Sequence, residues 1–565
     1  MIGIVVYVEK KVIEGKTYLY LVIKARVDGK VKRVWQKYLG PEASFQEKAE
    51  TMKLKLSDNY SITTREFGLE IALWQIAEEL KLHQIIEDFT SKRSQGMAVS
   101  QYLVLSTINR VIDPMSKHQI SSWLDRSYLR SCIPQIEDTY AERLSMAHTN
   151  HFQYLTDEAI LQIQQKLTNQ LLLKFDVKMD QLFYDPTNFY TYINPGEGNE
   201  LARHGKSKEG RNVLNLIGLS VVCTNDGGLP LFHHVYPGNV QDAELFKTQH
   251  QTILDHLHRL DLNPTDVTLV FDKGNISEDA FAGIDKSGLQ FICTVRPSSH
   301  KDLHDLTEDD FQMITLPNGK NVGFKEYSRT IHSQERRLIV CYDGNRQQWY
   351  EKNKLAKIEK KIQSIHTWFE TRLNTHKWRS KENVEEKIEK MMGKTFLSYV
   401  HYKVEEVENE ELIYELSMDN NYFDSEVAKL GKSYLMTSHE PDWTAEKVIW
   451  LYRQQYTVEK LFSYLKDHPQ AVSVRPIYHH KDDSVRGHIF SCLLGVLLLL
   501  LLKRKINSFY PSMELDDICR GLEDIKIADI AFSESDIKHK IIKNSSLASQ
   551  LFTKLSLEQY FTEET

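Results

Sequence analysis

The run Val267-Thr268-Leu269-Val270-Phe271 constrains the fold of this chain more than any other stretch. It carries no charge and does not alternate apolar with polar residues, so as a strand it must be covered on both faces. Such a strand belongs inside a sheet flanked by helices, the α/β arrangement. The run stops at Asp272, which is followed by Lys273-Gly274-Asn275. A second short run, Leu182-Phe183-Tyr184, stops at Asp185 ahead of Pro186-Thr187-Asn188. Taken singly, either aspartate reads as an ordinary turn or cap residue. Taken together, they put two carboxylates at strand ends, where a rigid element holds a side chain more accurately than a loop does.

The surrounding pattern fills in a mixed sheet. Residues 213–223 and 229–236 read as strands joined by the turn Asn225-Asp226-Gly227-Gly228. Residues 242–260 and 277–285 read as helices, and 289–295 as another buried strand. Before this core, residues 65–173 follow helical spacing, with Leu69, Ala72, Leu73, Ile76 and Leu80 as a stripe. After it, residues 299–443 mix strands with a Lys- and Glu-rich stretch over 349–392 that reads as a solvated helical hairpin.

At 565 residues the chain is too long for one ordinary core. The expected divisions are a small basic β domain (1–60), a helical domain for DNA binding or packing (61–174), and a first part of the catalytic core (175–298). An insertion (299–443), a second part of the core (444–505) and a C-terminal helical region (506–565) follow.

Composition narrows the function classes. The six cysteines are scattered, the closest pair 27 positions apart, which excludes a Cys-x-x-Cys zinc site and argues against a disulfide framework. A reducing cytoplasm is the expected compartment. The apolar run from Ile489 to Leu502 is 14 residues long, short of the ~20 that cross a bilayer, and reads as a buried helix. No Gly-rich Lys-Ser/Thr phosphate loop is present. The net charge of −7 is unusual for a nucleic-acid partner, but residues 1–40 carry a local net of +6. That segment alternates in the β manner, as in Thr17-Tyr18-Leu19-Tyr20-Leu21-Val22-Ile23, with Asp28-Gly29 as a hairpin turn.

A third carboxylate lies on a predicted helix, in Tyr452-Arg453-Gln454-Gln455-Tyr456-Thr457-Val458-Glu459 and onward to Lys466. Tyr452, Glu459 and Lys466 are spaced by seven, so a continuous helix places them on one face, with Arg453 on another. Few carboxylates are needed to hold Mg²⁺, which keeps part of its water shell. A pair of such ions stabilises the attacking and leaving oxygens of a phosphodiester.

The pattern Tyr452-x2-Gln455-x3-Glu459-x6-Lys466 resembles the Tyr-Arg-Glu-Lys signature of insertion-sequence transposases with a DDE triad and a ribonuclease-H-like core. Asp185-Pro186-Thr187 and Asp272-Lys273-Gly274 are similar to the family's two aspartate motifs, with spacings of 87 and 187 positions to the next acid. The resemblance covers residues 175–502 and departs at Gln455, which stands where the family has Arg. It implies an α/β, ribonuclease-H-like mixed-sheet core interrupted by a large α+β insertion. It further implies that Asp185, Asp272 and Glu459 bind Mg²⁺, with Mn²⁺ able to substitute, and that Tyr452 and Lys466 hold the element-end strand.

The DNA-binding set expected from this reading is Tyr452, Gln455, Lys466, Arg475, Arg203, Lys206 and Arg211. Lys208, Lys481, Arg486 and His488 are further cationic positions nearby, and each basic residue reads equally as ordinary solvated surface. The implied activity is cleavage of element ends and joining of the freed 3′-OH to target DNA. Its partners would be the terminal inverted repeats and target DNA, with a homodimer pairing two ends. The rivals are a catalytically disabled DNA-binding protein, a Mg²⁺-dependent nuclease without strand transfer, and a glycosidase using two of the carboxylates.

Overall fold

The computed structural model describes residues 5–13, 15–27, 30–41, 61–90, 96–133, 136, 148, 150–196, 198–275, 277–407, 411–439, 443–466, 472–533 and 536–561. The expected Asp28-Gly29 turn lies outside them. The chain divides into two compact units. One comprises Met1–Trp74, Ser122–Pro134 and Ile506–Thr565, the other Gln75–Ser121 and Gln135–Lys505.

The first unit opens with the antiparallel sheet that alternation predicts: β1 (Val5–Ile13), β2 (Lys16–Val27) and β3 (Lys30–Pro41), in that spatial order. Strand β4 (Ser61–Glu66) follows, leading into helix α1 (Gly68–Glu79).

The second unit begins with helices α2 (Leu82–Phe89), α3 (Val99–Ile112) and α4 (Asp157–Phe175), the last capped by Thr156 accepting from the Ala159 N–H. Its sheet is built from β5 (Gln181–Thr191), β6 (Arg203–His204), β7 (Asn215–Thr224), β8 (Pro230–Pro237), β9 (Thr268–Phe271) and β10 (Gln290–Thr294). It continues through β11 (Gln312–Thr315), β12 (Asn321–Ile331) and β13 (Gln334–Tyr342). Two strands, β14 (Val400–Val407) and β15 (Glu411–Met418), pair only with each other; β16 (Lys432–Thr437) returns to the main sheet. The main sheet runs β11-β12-β13-β16-β10-β9-β5-β7-β6, with β8 alongside β7. It is mixed: β5, β9 and β10 are parallel to one another, and their outer neighbours are antiparallel.

All four residues of β9 are buried, as its unbroken apolar pattern requires. Helices α5 (Asp242–Arg259) and α6 (Glu278–Ser287) flank β9 in sequence and supply part of its cover. Phe246 of α5 lies 4.8 Å from Phe271, and Phe281 of α6 lies 5.1 Å from Phe291 of β10, centroid to centroid. Ridges of rings from two helices thus seal the strands that carry the aspartates.

Four sequence expectations are corrected. Strand β5 does not end at Asp185 but runs to Thr191, with Asp185 facing Val221 of β7. Pairing with β9 stops at Phe183, so from Asp185 onward β5 is paired on one side, where Pro186 and its missing N–H are tolerated. Next, residues 349–392 are helical but not simply solvated. Helices α7 (Gly344–Glu370), α8 (Lys381–Met392) and α9 (Asn420–Val427) close with β14 and β15 around a core of Ile358, Ile365, Phe369, Val384, Ile388 and Met392. Their apolar residues are sparse but recur at three- and four-residue spacing, enough for one buried stripe. Strands β11 to β13, expected as part of the same insertion, belong to the main sheet.

Beyond the main sheet lie α10 (Ala445–Arg453), α11 (Tyr456–Lys466) and α12 (Asp482–Asn507). Helix α12 contains the apolar run and is the one helix among the described residues long and apolar enough to cross a membrane; 89% of its most apolar window is buried inside the fold. The region after it is not all helix, which is the fourth correction. Helices α13 (Leu515–Glu523) and α14 (Ser546–Lys554) flank β17 (Ile525–Ser533) and β18 (Asp536–Lys543), and β17 pairs with β4 from the other end of the chain. A strand completed by a partner more than 450 positions away leaves no local signal.

Candidate active site

Asp185, Asp272 and Glu459 line one cleft of about 880 Å³ in the second unit. Two come from the parallel strands β5 and β9, the third from the first turn of α11. Each element fixes its acid in a different way.

Asp185 points from the half-paired length of β5. Tyr236 of β8 reaches across β7 to donate to the Thr187 carbonyl at 3.2 Å, and it can do so because Gly218 lies beneath its ring. A Cβ at Gly218 would stand 2.2 Å from that ring. Asp272 is held by the Thr294 hydroxyl of β10, which donates to its carboxylate while accepting from the Lys273 N–H at 3.0 Å. The Asn275 N–H closes the turn on the Asp272 carbonyl at 3.1 Å. Glu459 is exposed to the cleft on the first turn of its helix, where the dipole favours an anion.

The acids feel one another. Burial raises the Asp185 carboxyl from an ordinary 3.8 to about 7, opposed by the Lys208 ammonium and reinforced by the charges of Asp242, Asp272 and Glu459. Lys208 stands 3.2 Å from Asp242 and also donates to the Pro186 carbonyl. Its charge thus faces the carboxylates of Asp185 and Asp242. Tyr452 is likewise pushed up by burial and then by the Asp272 charge, with Thr294 pulling it back through a hydrogen bond. Among the described residues, no three acids, histidines or cysteines converge closely enough to form a ready-made metal cluster. The donor chemistry nevertheless fits a hard divalent cation: all the ligands on offer are oxygens, and the ionised form of Asp185 is disfavoured first by burial and then by nearby carboxylates.

The predicted continuous helix is broken. Helix α10 stops at Arg453, and α11 starts at Tyr456, with three-residue bonds from Thr457 to Gln454 and from Val458 to Gln455 spanning the gap. Tyr452 and Gln455 still line the cleft, but not through heptad spacing. Arg453, which a continuous helix turns away, lines the cleft as well, 3.1 Å from Asp343. Asp343 also caps α7 through the Arg346 N–H, and Arg346 is another lining residue.

The remaining expected DNA contacts are distributed around this centre. Lys466 donates to the Thr187 hydroxyl at 2.9 Å and stands 3.2 Å from Glu209. Arg475 pairs with the other oxygen of Glu209 at 2.8 Å and lies 4.2 Å over the Tyr190 ring. Arg203 belongs to the short strand β6 rather than a loop and donates to the Asn199 and Ala202 carbonyls. Lys206 is exposed, and Arg211 is exposed with its guanidinium 5.8 Å over Tyr190. His488, entertained as a backbone ligand, is buried against the Val474 carbonyl and unavailable. Arg486 is engaged by Asp157 at 2.8 Å.

Sequence reasoning missed Thr294, Asp242, Glu209 and Asp343. None carries a motif, and each acquires its place from a strand, a loop or a helix start remote in sequence.

Three acids from a mixed sheet and a helix thus edge one cleft. The family model "Transposase DDE domain" matches residues 178–498, more than half of the chain. The chain belongs to the DDE-domain transposases. Among solved structures, the piggyBac transposase synaptic complex with hairpin DNA aligns over 88% of this chain and 85% of that one, at 10% identity and a TM-score of 0.39. A likeness that slight supports no argument about mechanism. No curated protein sequence matches.

Proposed function

We propose that this transposase cuts the ends of its element and joins each freed 3′-OH to target DNA, in a homodimer that pairs two ends. Asp185, Asp272 and Glu459 are the catalytic acids and the ligands for Mg²⁺, on a core of ribonuclease-H-like arrangement. Divalent cations held there would supply charge stabilisation for the attacking and leaving oxygens of the displacement. The observation that carries the reading is the shared cleft of the three acids, with Asp185 raised by burial and, to a smaller extent, by neighbouring carboxylates that include the other two.

The chain's own residues have separable tasks in this reading. Thr294 orients the Asp272 carboxylate through a hydrogen bond to one of its two oxygens. Lys208 offsets part of the negative charge between Asp185 and Asp242, which keeps Asp185 ionisable near neutral pH. Tyr452 and Gln455 on one side, with Lys466 and Arg475 near Thr187, are suited to the element-end strand, the latter pair through phosphate contacts. Arg203, Lys206 and Arg211 extend that positive edge along β6 and the loop after it.

The test is a labelled duplex carrying the inverted repeat that flanks the gene, incubated with the protein, Mg²⁺ and a target plasmid. End cleavage with strand-transfer products is expected. Cleavage with no joined product would make the protein a nuclease, and binding alone would make it a disabled binder.

A further inference from the structure

The sheet β1-β2-β3 has two chemically different faces. Register places Tyr7, Glu9 and Lys11 of β1 beside Val22, Tyr20 and Tyr18 of β2, and Tyr20 beside Tyr38 of β3. Lys24 and Arg33 pair on the same side, and period-2 alternation adds Lys16. This face therefore presents Tyr7, Tyr18, Tyr20 and Tyr38 interleaved with Lys11, Lys16, Lys24 and Arg33. The opposite face carries Val6, Val8, Val12, Leu21, Ile23 and Trp35, with Lys10, Lys32 and Lys37.

Two cations on the tyrosine face rest over rings, and among the described residues no acid pairs with either. The Lys11 ammonium stands 4.9 Å over the Tyr20 ring and that of Lys24 5.0 Å over Tyr7. A ring face orients an ammonium but brings no opposite charge, so the full charge remains for an outside anion. Arg33 is paired with Glu9, the single acid on this face among the described residues. A strand of 12 residues extends about 40 Å, and a DNA duplex offers a charge every ~1.7 Å along that length. Phenolic hydroxyls add hydrogen-bond donors of the kind that contact phosphate oxygens. The segment's local charge of +6 stands in a chain of net −7, so complementarity to DNA is concentrated here.

We infer that the tyrosine–lysine face of the N-terminal sheet is a DNA-binding surface that grips the phosphate backbone of duplex DNA through Lys11, Lys16 and Lys24. It shares no residue with the catalytic cleft. The inference rests on the reading of DNA as the substrate and assigns part of the affinity to a second place in the chain.

The test uses the full-length protein in EDTA, with a fluorescent duplex of arbitrary sequence titrated at several salt concentrations. The variant Lys11→Gln/Lys16→Gln/Lys24→Gln should weaken binding roughly tenfold and lower the slope of log K against log salt by about 2 to 3. The variant Lys10→Gln/Lys32→Gln/Lys37→Gln removes the same charge from the opposite face and should change affinity by no more than about twofold, the effect of net charge alone. Lys11→Arg/Lys24→Arg should retain wild-type affinity, which separates lost phosphate contacts from a damaged sheet. Equal losses from the two faces, or none from the tyrosine face, would overturn the inference while leaving the transposase reading intact. A wild-type protein that binds no duplex at all would overturn both.

Discussion

Arg475 Nη1 lies 2.8 Å from Glu209 Oε2, and Lys466 Nζ lies 3.2 Å from the other oxygen of the same carboxylate. Glu209 thus occupies, with a carboxylate, the place that two cations would give to a phosphate. All three side chains are largely buried, at 15–19% exposure, so the pair of contacts is weakly screened. If Lys466 and Arg475 serve the element-end strand, Glu209 competes with it. Glu209→Gln should then raise affinity for an end duplex by on the order of tenfold, about 1.4 kcal/mol. Fluorescence anisotropy checks this, and unchanged or weaker binding would place the two cations in a purely structural role.

The Asp185 carboxyl, raised to about 7 from 3.8, gives a pH dependence with a definite sign. The native state holds its proton more tightly than the unfolded state does, so the benefit is complete below pH 3.8 and is lost as pH rises through about 7. Without divalent cation, that loss is on the order of a few kcal/mol. Asp185→Asn should be more stable than wild type in EDTA at pH 8 and no more stable at pH 4. Mg²⁺ should close the gap at pH 8, because the ionised carboxylate then has a counter-charge. Denaturant unfolding at the two pH values, with and without Mg²⁺, measures both effects.

Thr294→Val removes the hydroxyl that donates to Asp272 and accepts from the Lys273 N–H. Loss of a group that orients a metal ligand costs roughly 10- to 100-fold in metal affinity or activity. The expected result is a higher Mg²⁺ requirement for cleavage with DNA affinity in EDTA unchanged. A variant with the wild-type Mg²⁺ dependence would mean that Asp272 needs no such support.

Phe369 is buried in the core that α7 and α8 form with β14 and β15, packed 5.1 Å from the Tyr414 ring. Phe369→Ala should cost about 3 to 5 kcal/mol of the stability of that core. Hydrogen exchange should report faster opening over 344–427, with the amides of β9 and β10 protected as before. Uniform loss of protection across the sheet would show that the two cores unfold together.

What could be read from the chain beforehand follows from the range of the interactions involved. β9 was legible because burial on both faces is written in its own residues, and α12 because its apolar run leaves almost no polar face for solvent. Asp272 could be picked out because an apolar strand stops at it and a turn follows, whereas the strand end expected at Asp185 is not there. The length of β5 was not legible, since Pro186 reads as a strand stop and only the one-sided pairing beyond Phe183 explains its tolerance. The faces assigned to Tyr452, Arg453 and Gln455 rested on a continuous helix, and the break between Arg453 and Tyr456 undoes that arithmetic. Thr294, Glu209 and Asp343 reach the site through tertiary placement alone, and β17 pairs with β4 across nearly the whole sequence.

The most direct measurement is strand cleavage and joining by Asp185→Asn, Asp272→Asn and Glu459→Gln, each compared with wild type on the same end-bearing duplex in Mg²⁺. The account predicts that every one of the three loses at least about a thousandfold in both steps, roughly 4 kcal/mol of barrier, while binding the duplex in EDTA as tightly as before. Any of the three retaining wild-type turnover would contradict a centre built from these acids.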